Sequence, residues 1–164
     1  MKSLLKAALL CLISTGAFAL SSDSEQPVYI DSDSQKLDMK SNEVTFEGDV
    51  KLVQGSIELE ADKVIVVRDA ETGTITSIQS FGEPTTFRQE TDEGKELRGQ
   101  ALELFYSMSN NQLLMTKQAQ LMQDDSVIKG ETIRYQIDTE TMLADGGNGN
   151  RVSTVLQPQA QKGQ

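Results

Sequence analysis

Two short segments carry residue types that bind cations or phosphate groups in other proteins. Residues 31–34 (Asp-Ser-Asp-Ser) resemble the start of a calcium loop, but Gln35 and Lys36 stand where an oxygen ligand and a glycine belong. The twelfth position of that loop also lacks its bidentate Glu. Residues 145–150 are glycine-rich, yet they lack Gly-Lys-Ser/Thr and no helical pattern follows. The sequence therefore predicts no metal site and no cofactor.

Most catalytic arrangements are excluded by composition. The chain has no histidine, no tryptophan and one cysteine, Cys11, so a Ser-His-Asp triad, a Cys-His pair and a histidine-ligated metal cannot form. A pair of carboxylates could still hydrolyse a glycan, since Asp and Glu number 25. Such an enzyme also needs an aromatic platform for sugars, and aromatic residues make up only 5% of the chain. The sequence favours a protein that is not an enzyme.

The two ends of the chain read as processing and tail segments. Residues 1–19 have the pattern of a secretory signal, with Lys2 and Lys6, an apolar run at 4–13, and Ala-Phe-Ala at 17–19 for cleavage after Ala19. We expect a polar leader at 20–27, one domain at 28–156 and a disordered tail at 157–164. The formal net charge of −10 argues against nucleic acid as a partner, because such binding depends on Lys and Arg.

An internal repeat is the main indicator of the fold. Residues 44–66 can be laid without a gap over 113–135, so that Val44 falls on Leu113, Phe46 on Met115 and Val64 on Ile133. Within each copy the apolar residues recur at every second position, which is the period of a strand with one face out of water. The chain is therefore predicted to be a β-repeat.

Turn residues recur at intervals that suit an all-β domain. Turns every ~8–12 residues predict about a dozen or more short strands, and no segment has the period of a helix. Such strands can hide their apolar faces in a two-sheet sandwich or jelly roll, or in a closed barrel. The long repeat favours an elongated jelly roll whose interior runs from end to end. Its end strands would present unpaired N–H and C=O groups.

The alternation also predicts which side chains face the interior. Side chains of this size either fill a narrow sandwich core or line a slot that accepts alkyl chains, and the sequence leaves both alternatives open. The residues predicted to face inward are Val28, Ile30, Phe46, Leu59, Val64, Val66, Phe87, Leu102, Leu104, Tyr106, Met108, Met115, Leu121, Ile133 and Tyr135.

Five segments, in order along the chain, resemble the LptA or OstA-like family of periplasmic lipopolysaccharide-transport proteins. The resemblance extends from Gln26 to about Pro158. The segments are 26–33 (Gln-Pro-Val-Tyr-Ile-Asp-Ser-Asp), 46–50 (Phe-Glu-Gly-Asp-Val), 61–64 (Ala-Asp-Lys-Val), 82–87 (Gly-Glu-Pro-Thr-Thr-Phe) and 151–156 (Arg-Val-Ser-Thr-Val-Leu).

The resemblance implies a fold and a function without catalysis or cofactors. The fold would be an elongated, slightly twisted, open-ended antiparallel β-jelly roll built from repeated strand units. The protein would be periplasmic and would shield the acyl chains of lipid A inside, with the residues above as lipid-lining positions. It would assemble head to tail with itself, with LptC and with the N-terminal domain of LptD. The edges that would join are Val28, Tyr29 and Ile30 at one end, and Val152, Ser153, Thr154, Val155 and Leu156 at the other.

Three other readings remain open. A fragment of LptC or LptD would share the repeat, although LptC would keep its apolar N-terminal segment as an anchor, against which the cleavage site argues. A β-sheet adaptor that binds only proteins would assemble without contacting lipid. A carboxylate hydrolase would act on a glycan through single acidic residues.

Overall fold

A computed structural model describes residues 23–91 and 93–157 of the chain. The predicted signal peptide and residues 158–164 of the predicted tail lie outside this range. No helix in the described part is long and apolar enough to cross a membrane. The elements are a 3₁₀ turn at Asp23–Glu25 followed by β1 Tyr29–Asp31, β2 Ser34–Asp38, β3 Glu43–Gln54, β4 Ile57–Arg68, β5 Ile75–Glu90, β6 Glu96–Ser107, β7 Gln112–Gln123, β8 Ser126–Gln136, β9 Thr141–Asp145 and β10 Ser153–Val155.

All ten strands form one antiparallel sheet in which β3 to β8 pair in sequence order. The two short strands at the start, β1 and β2, both pair with β3, at opposite ends of it. Similarly, β9 and β10 pair with the two ends of β8. Sequential hairpins of this kind need only short turns, which the polar and glycine-containing segments provide. The sheet thus has an edge of two short strands at each end.

Every long strand bends near its middle. The pairing registers shift between Glu47 and Val50 on β3, and at the corresponding level of each later hairpin as far as the β7–β8 pair. Such bulges bend a strand and increase its twist. Together they form a line of bulges that divides the sheet into a β1 half-sheet, which includes residues 50–60, 85–101 and 119–130, and a β2 half-sheet, which includes residues 43–47, 63–81, 103–116 and 132–136.

The two half-sheets face each other and enclose one core. Met115, on the β2 half-sheet, packs against Gly99 of the β1 half-sheet: its sulfur lies 2.8 Å from where a Cβ on Gly99 would be. Val64, Met115 and Ile133 have no exposed surface. The chain is therefore a sheet bent double, with alternate side chains pointing into the bend. The all-β, antiparallel prediction is confirmed.

The predicted repeat is present in the backbone itself. Positive φ angles occur at Asn42 and Asn111, at Gly48 and Lys117, at Asp49 and Gln118, and at Gly55 and Asp124, pairs that all share the spacing of the sequence repeat. The hairpins β3–β4 and β7–β8 thus have the same two-residue turn and the same bulge. The prediction of a dozen or more short strands is wrong: bends replace breaks, and the segment around Gly82 lies within a single strand of 16 residues, β5.

Buried polar side chains supply hydrogen bonds to the backbone at the bend. Ser80 and Thr85 flank the bulge of β5 and have no exposed surface. Their hydroxyl oxygens lie 3.0 Å apart, and the Thr85 hydroxyl donates to the Glu60 carbonyl of β4 over 3.0 Å. Because a buried, unpaired carbonyl is costly, this contact stabilises the bulge where ladder hydrogen bonds are lost.

Candidate functional site: the apolar interior, its mouth and the sheet edges

Most of the residues predicted to face inward do so. Val28, Ile30 and Met108 are half-buried and pack against the core from its margins. The others lie in the buried core: Phe46, Leu59, Val64, Val66, Phe87, Leu104, Tyr106, Met115, Leu121, Ile133 and Tyr135. Their contact with lipid remains a prediction.

Leu102 is the exception, and its predicted inward position is wrong. The residue is half-buried but lies outside the core, and it lines a groove on the outer surface with Phe81 and Glu103. The β6–β7 register shifts between Gln100 and Glu103. The bulge inserts an extra residue there, so the inward positions change from odd to even numbers, from Ala101 to Leu104.

Several core residues follow the same alternation and were left out of the predicted lining set. The same two-residue alternation identifies them, provided that the inward positions are counted anew after each turn or bulge. The additional buried apolar residues are Val50, Leu52, Ile57, Ile78, Leu97, Ala101, Leu113 and Ala119.

The interior is filled by these side chains. Between Leu52 and Phe87 of the β1 half-sheet and Ile78 and Leu113 of the β2 half-sheet, an apolar cavity of only about 20 Å³ remains. That is room for about one water-sized sphere. Of the two alternatives left by the sequence, the structure shows the filled core. A hydrocarbon chain would enter only by moving the half-sheets apart.

A larger cavity lies at the open side of the bent sheet, between the tips of the hairpins. We call it the mouth cavity; its volume is about 410 Å³. Its apolar floor is made by Ile57, Tyr106, Tyr135 and Ile137. Ile57, Tyr106 and Ile137 also line the small interior cavity, so the two spaces adjoin. The mouth is thus the route by which the core meets water.

The segment before β1 is fastened across one side of this mouth. Asp23, which the sequence places in a polar leader, is only 5% exposed. Its carboxylate accepts hydrogen bonds from the Ser56 amide over 2.9 Å and from the Ser56 hydroxyl over 2.5 Å. The Gln54 side chain also donates to the Gln26 carbonyl over 3.1 Å. Folded structure therefore begins before β1, and Asp23 forms part of the mouth.

The predicted joining edges lie at the two ends of the sheet. β1 has β3 as its partner and β10 has β8, and each presents its other side without a strand in the described part of the chain. Tyr29 and Val155 are 66% and 51% exposed. The sequence did not predict that each end has a second edge strand, β2 and β9. The short turns beside these strands do not show which half-sheet each strand joins.

The outer face of the β1 half-sheet carries a cross-strand row of ion pairs. Arg88 on β5 contacts Glu58 on β4 over 2.6 Å and Glu96 on β6 over 3.1 Å. Hydrogen bonding to Glu58 and Glu96 raises the pKa of Arg88, and its guanidinium lowers the pKa of Glu96. Lys51 on β3 extends the row to Glu58 over 3.9 Å. The outside is thus charged while the inside is apolar.

Comparison with known proteins identifies the family. Residues 29–141 match the family described as LptA/(LptD N-terminal domain) LPS transport protein. The lipopolysaccharide export system proteins LptA of Haemophilus influenzae and Escherichia coli are 42% and 41% identical, over 92% and 95% of this chain and 88% and 84% of their own.

A solved structure agrees with this match. The crystal structure of LptH from Pseudomonas aeruginosa, described as the LptA-homologous periplasmic component of a lipopolysaccharide transport device, superposes with a TM-score of 0.76. It covers 84% of this chain and 99% of its own, at 27% identity. The bent sheet, its apolar interior and the sequence match agree: the chain belongs to the LptA/(LptD N-terminal domain) LPS transport protein family.

Proposed function

We propose that the protein carries lipopolysaccharide through the periplasm, holding acyl chains between its half-sheets while the sugars stay in water. The observation that carries this proposal is one apolar core to which β1 and β3 to β9 contribute, in a sheet whose end strands each leave one edge without a partner in the described part of the chain. The relatives named as lipopolysaccharide export proteins support it. In this role the protein is non-enzymatic, and residues 1–19 direct its export and are then cleaved off.

The energetics require a covered route. Each methylene exposed to water costs about 0.8 kcal/mol, and a multi-acylated lipid carries tens of them. Free diffusion of such a lipid through water is therefore prohibitive. A groove that continues from one molecule to the next keeps the chains covered at every step.

The filled interior sets how a chain would enter. The half-sheets separate at the mouth, and acyl chains replace the contacts that core side chains make across the gap. Residues such as Phe87 and Tyr106 exchange one apolar neighbour for another, so the transfer term nearly cancels. The remaining free-energy cost is the loss of packing between the half-sheets, and contacts with the lipid compensate for it.

The strand directions support head-to-tail assembly. Each half-sheet contains eight strands that alternate in direction from one end to the other. Because eight is even, β10 of one molecule placed beside β1 of the next continues the antiparallel pattern, as does β9 beside β2. Such a joint uses two different surfaces and does not close, so it builds a filament. LptC and the N-terminal domain of LptD would join through the same edges.

A second function, a β-sheet adaptor that binds proteins only, is favoured by the filled interior. Photo-crosslinking separates the two. We expect crosslinkers at Phe87 or Tyr106 to capture lipopolysaccharide, and crosslinkers at the outward Lys51 or Glu103 not to. Equal capture from both sets would contradict the interior route.

The edges are tested separately by ending the chain before Val152, which removes β10. The carrier proposal expects loss of oligomers while each molecule still binds lipid. An intact chain that stays monomeric at every concentration would contradict the bridge.

A further inference from the structure

The mouth cavity has a chemical character that the filled core does not share. Its volume of about 410 Å³ is in the range of small-ligand sites. One part of its wall is the apolar floor of Ile57, Tyr106, Tyr135 and Ile137. The rest of the wall is polar, so the cavity suits an amphiphilic molecule that is apolar at one end and polar at the other.

A buried acceptor without a partner lies in this wall. Gln89 is 5% exposed, and its Oε1 atom has no hydrogen-bond partner within the described structure. The side chain points inward from β5 and lines the mouth cavity. A buried acceptor left unpaired is destabilising, so a donor that enters the cavity gains by bonding to it.

The rim of the cavity carries an excess of negative charge, although the neighbouring Lys95 pairs with Glu93 over 2.8 Å. Within the described part of the chain, it is lined by acidic residues and by no Lys or Arg; the acids are Asp23, Glu90, Glu93, Asp138 and Glu140. The pKa of Tyr106, on the floor, is raised by burial and then further by the negative charges of Asp138 and Asp23. The electrostatic field of the carboxylates therefore reaches the floor. A positive group is therefore favoured at this mouth and an anion is disfavoured.

The arrangement does not suit a bare metal ion. In the described residues, no group of three or more acidic side chains is placed to hold one. The carboxylates surround the cavity instead of converging on a point. A metal also makes no use of the apolar floor, whereas an ammonium group next to a hydrocarbon chain uses floor, rim and acceptor together.

We propose that the mouth cavity binds a primary ammonium group carried on a hydrocarbon chain, with Gln89 Oε1 accepting a hydrogen bond from the ammonium. The chain lies on Ile57 and Tyr106, and the rim carboxylates neutralise the charge. Two sources have this chemistry: an amine on the headgroup of a lipid, or a free amphiphilic amine. The lipid source rests on the proposed function, and the site itself does not.

The site is tested by calorimetry on the mature protein with three probes of equal chain length, below their micelle concentrations. Dodecylammonium has charge and hydrogen-bond donors, dodecyltrimethylammonium has charge alone, and dodecyldimethylphosphine oxide has neither. We expect affinity to fall in that order, with about a tenfold loss from the first probe to the second and a further loss of at least about twofold to threefold from the second to the third. Equal affinities would overturn the proposal.

Variants assign the two contributions. Gln89→Leu should weaken dodecylammonium about tenfold and leave dodecyltrimethylammonium unchanged, because only the first donates a hydrogen bond. Glu140→Gln, at an exposed rim position, should weaken both cations about twofold to threefold. Glu83→Gln at the bend, far from the mouth, is the matched control and should change neither. A loss with Glu83→Gln as large as with Glu140→Gln would overturn the assignment to this cavity.

The source is then distinguished with lipopolysaccharide. If lipid bearing amines on its phosphates binds more tightly than lipid with bare phosphates, and Gln89→Leu removes the difference, the headgroup is the ligand. If the two lipids bind equally while dodecylammonium still prefers the intact site, free amines are the ligand and the headgroup source is rejected. If no lipid binds at all, the proposed function fails and the amine site stands.

Discussion

The sulfur of Met115 lies 2.8 Å from the position that a Cβ atom on Gly99 would occupy, although the two residues belong to opposite half-sheets. Gly99 is itself buried, with Leu121 and Phe87 also within 3.5 Å of that position. The half-sheets thus approach most closely where one of them has no side chain. This contact determines how tightly the interior closes.

Gly99→Ala should therefore destabilise the protein by about 1–3 kcal/mol, because one added methyl group must displace a fully buried methionine. Thermal or urea unfolding measures the change. The double variant with Met115→Ala should show a favourable coupling energy, since the obstacle is gone. Strict additivity of the two changes would mean that the contact across the interior does not exist.

Asp23→Ala should cost about 1.5–3 kcal/mol of unfolding free energy, because it removes two hydrogen bonds to a buried carboxylate. Hydrogen exchange should report the same change locally. The Ser56 amide, which donates to Asp23, should lose protection, whereas amides of β7 should not. Ser56→Ala is the partner variant: it removes the hydroxyl bond to Asp23 and the bond that this hydroxyl accepts from the Glu90 amide, so combining it with Asp23→Ala should cost less than the sum of the two. Uniform loss of protection over the whole sheet would contradict a local fastening.

Gln89→Leu should stabilise the protein by about 1 kcal/mol, since it replaces a buried acceptor that has no partner with an apolar side chain of similar size. The melting temperature should rise. This gain, together with the loss of ammonium binding described above, would mark Gln89 as a residue kept for binding at a cost in stability. A lower melting temperature would show that its amide is satisfied in solution.

Asp69 should make stability fall in acid. Hydrogen bonds from the Thr72 amide over 2.7 Å, the Thr72 hydroxyl and the Glu71 amide hold the pKa of Asp69 below its ordinary value of 3.8. The unfolded state therefore binds the proton first. The contribution is present above pH 3.8 and is lost as the pH falls through the lower folded value. Unfolding followed in acid should show a smaller decline for Asp69→Asn; parallel curves would exclude this role.

The sequence predicted the repeat well because each copy carries its own pattern. Val44 and Leu113 are the second residues of β3 and β7, and the residues that follow each of them keep the same alternation, turn and bulge positions. Fold class and most inward positions follow from that period alone. Family resemblance then supplied the curvature and the open ends.

The errors come from features that a period of two does not contain. Leu102 was assigned to the wrong face because a bulge changes the parity of the strand without changing its composition. Asp23 was missed because its partner, Ser56, lies 33 residues away and the contact depends on how the chain ends pack. Gln89 was missed because a polar residue at an inward position looks the same in sequence whether or not it has a partner.

The aligned bulges have a mechanical consequence. Ladder hydrogen bonds are already interrupted along that one level in every long strand, so rotation there breaks few additional bonds. The two half-sheets can consequently rotate apart about the line of bulges while each half-sheet stays rigid. Lipids of different width would then be accommodated by a change in the angle between the half-sheets, without loss of the strand pairing within either one.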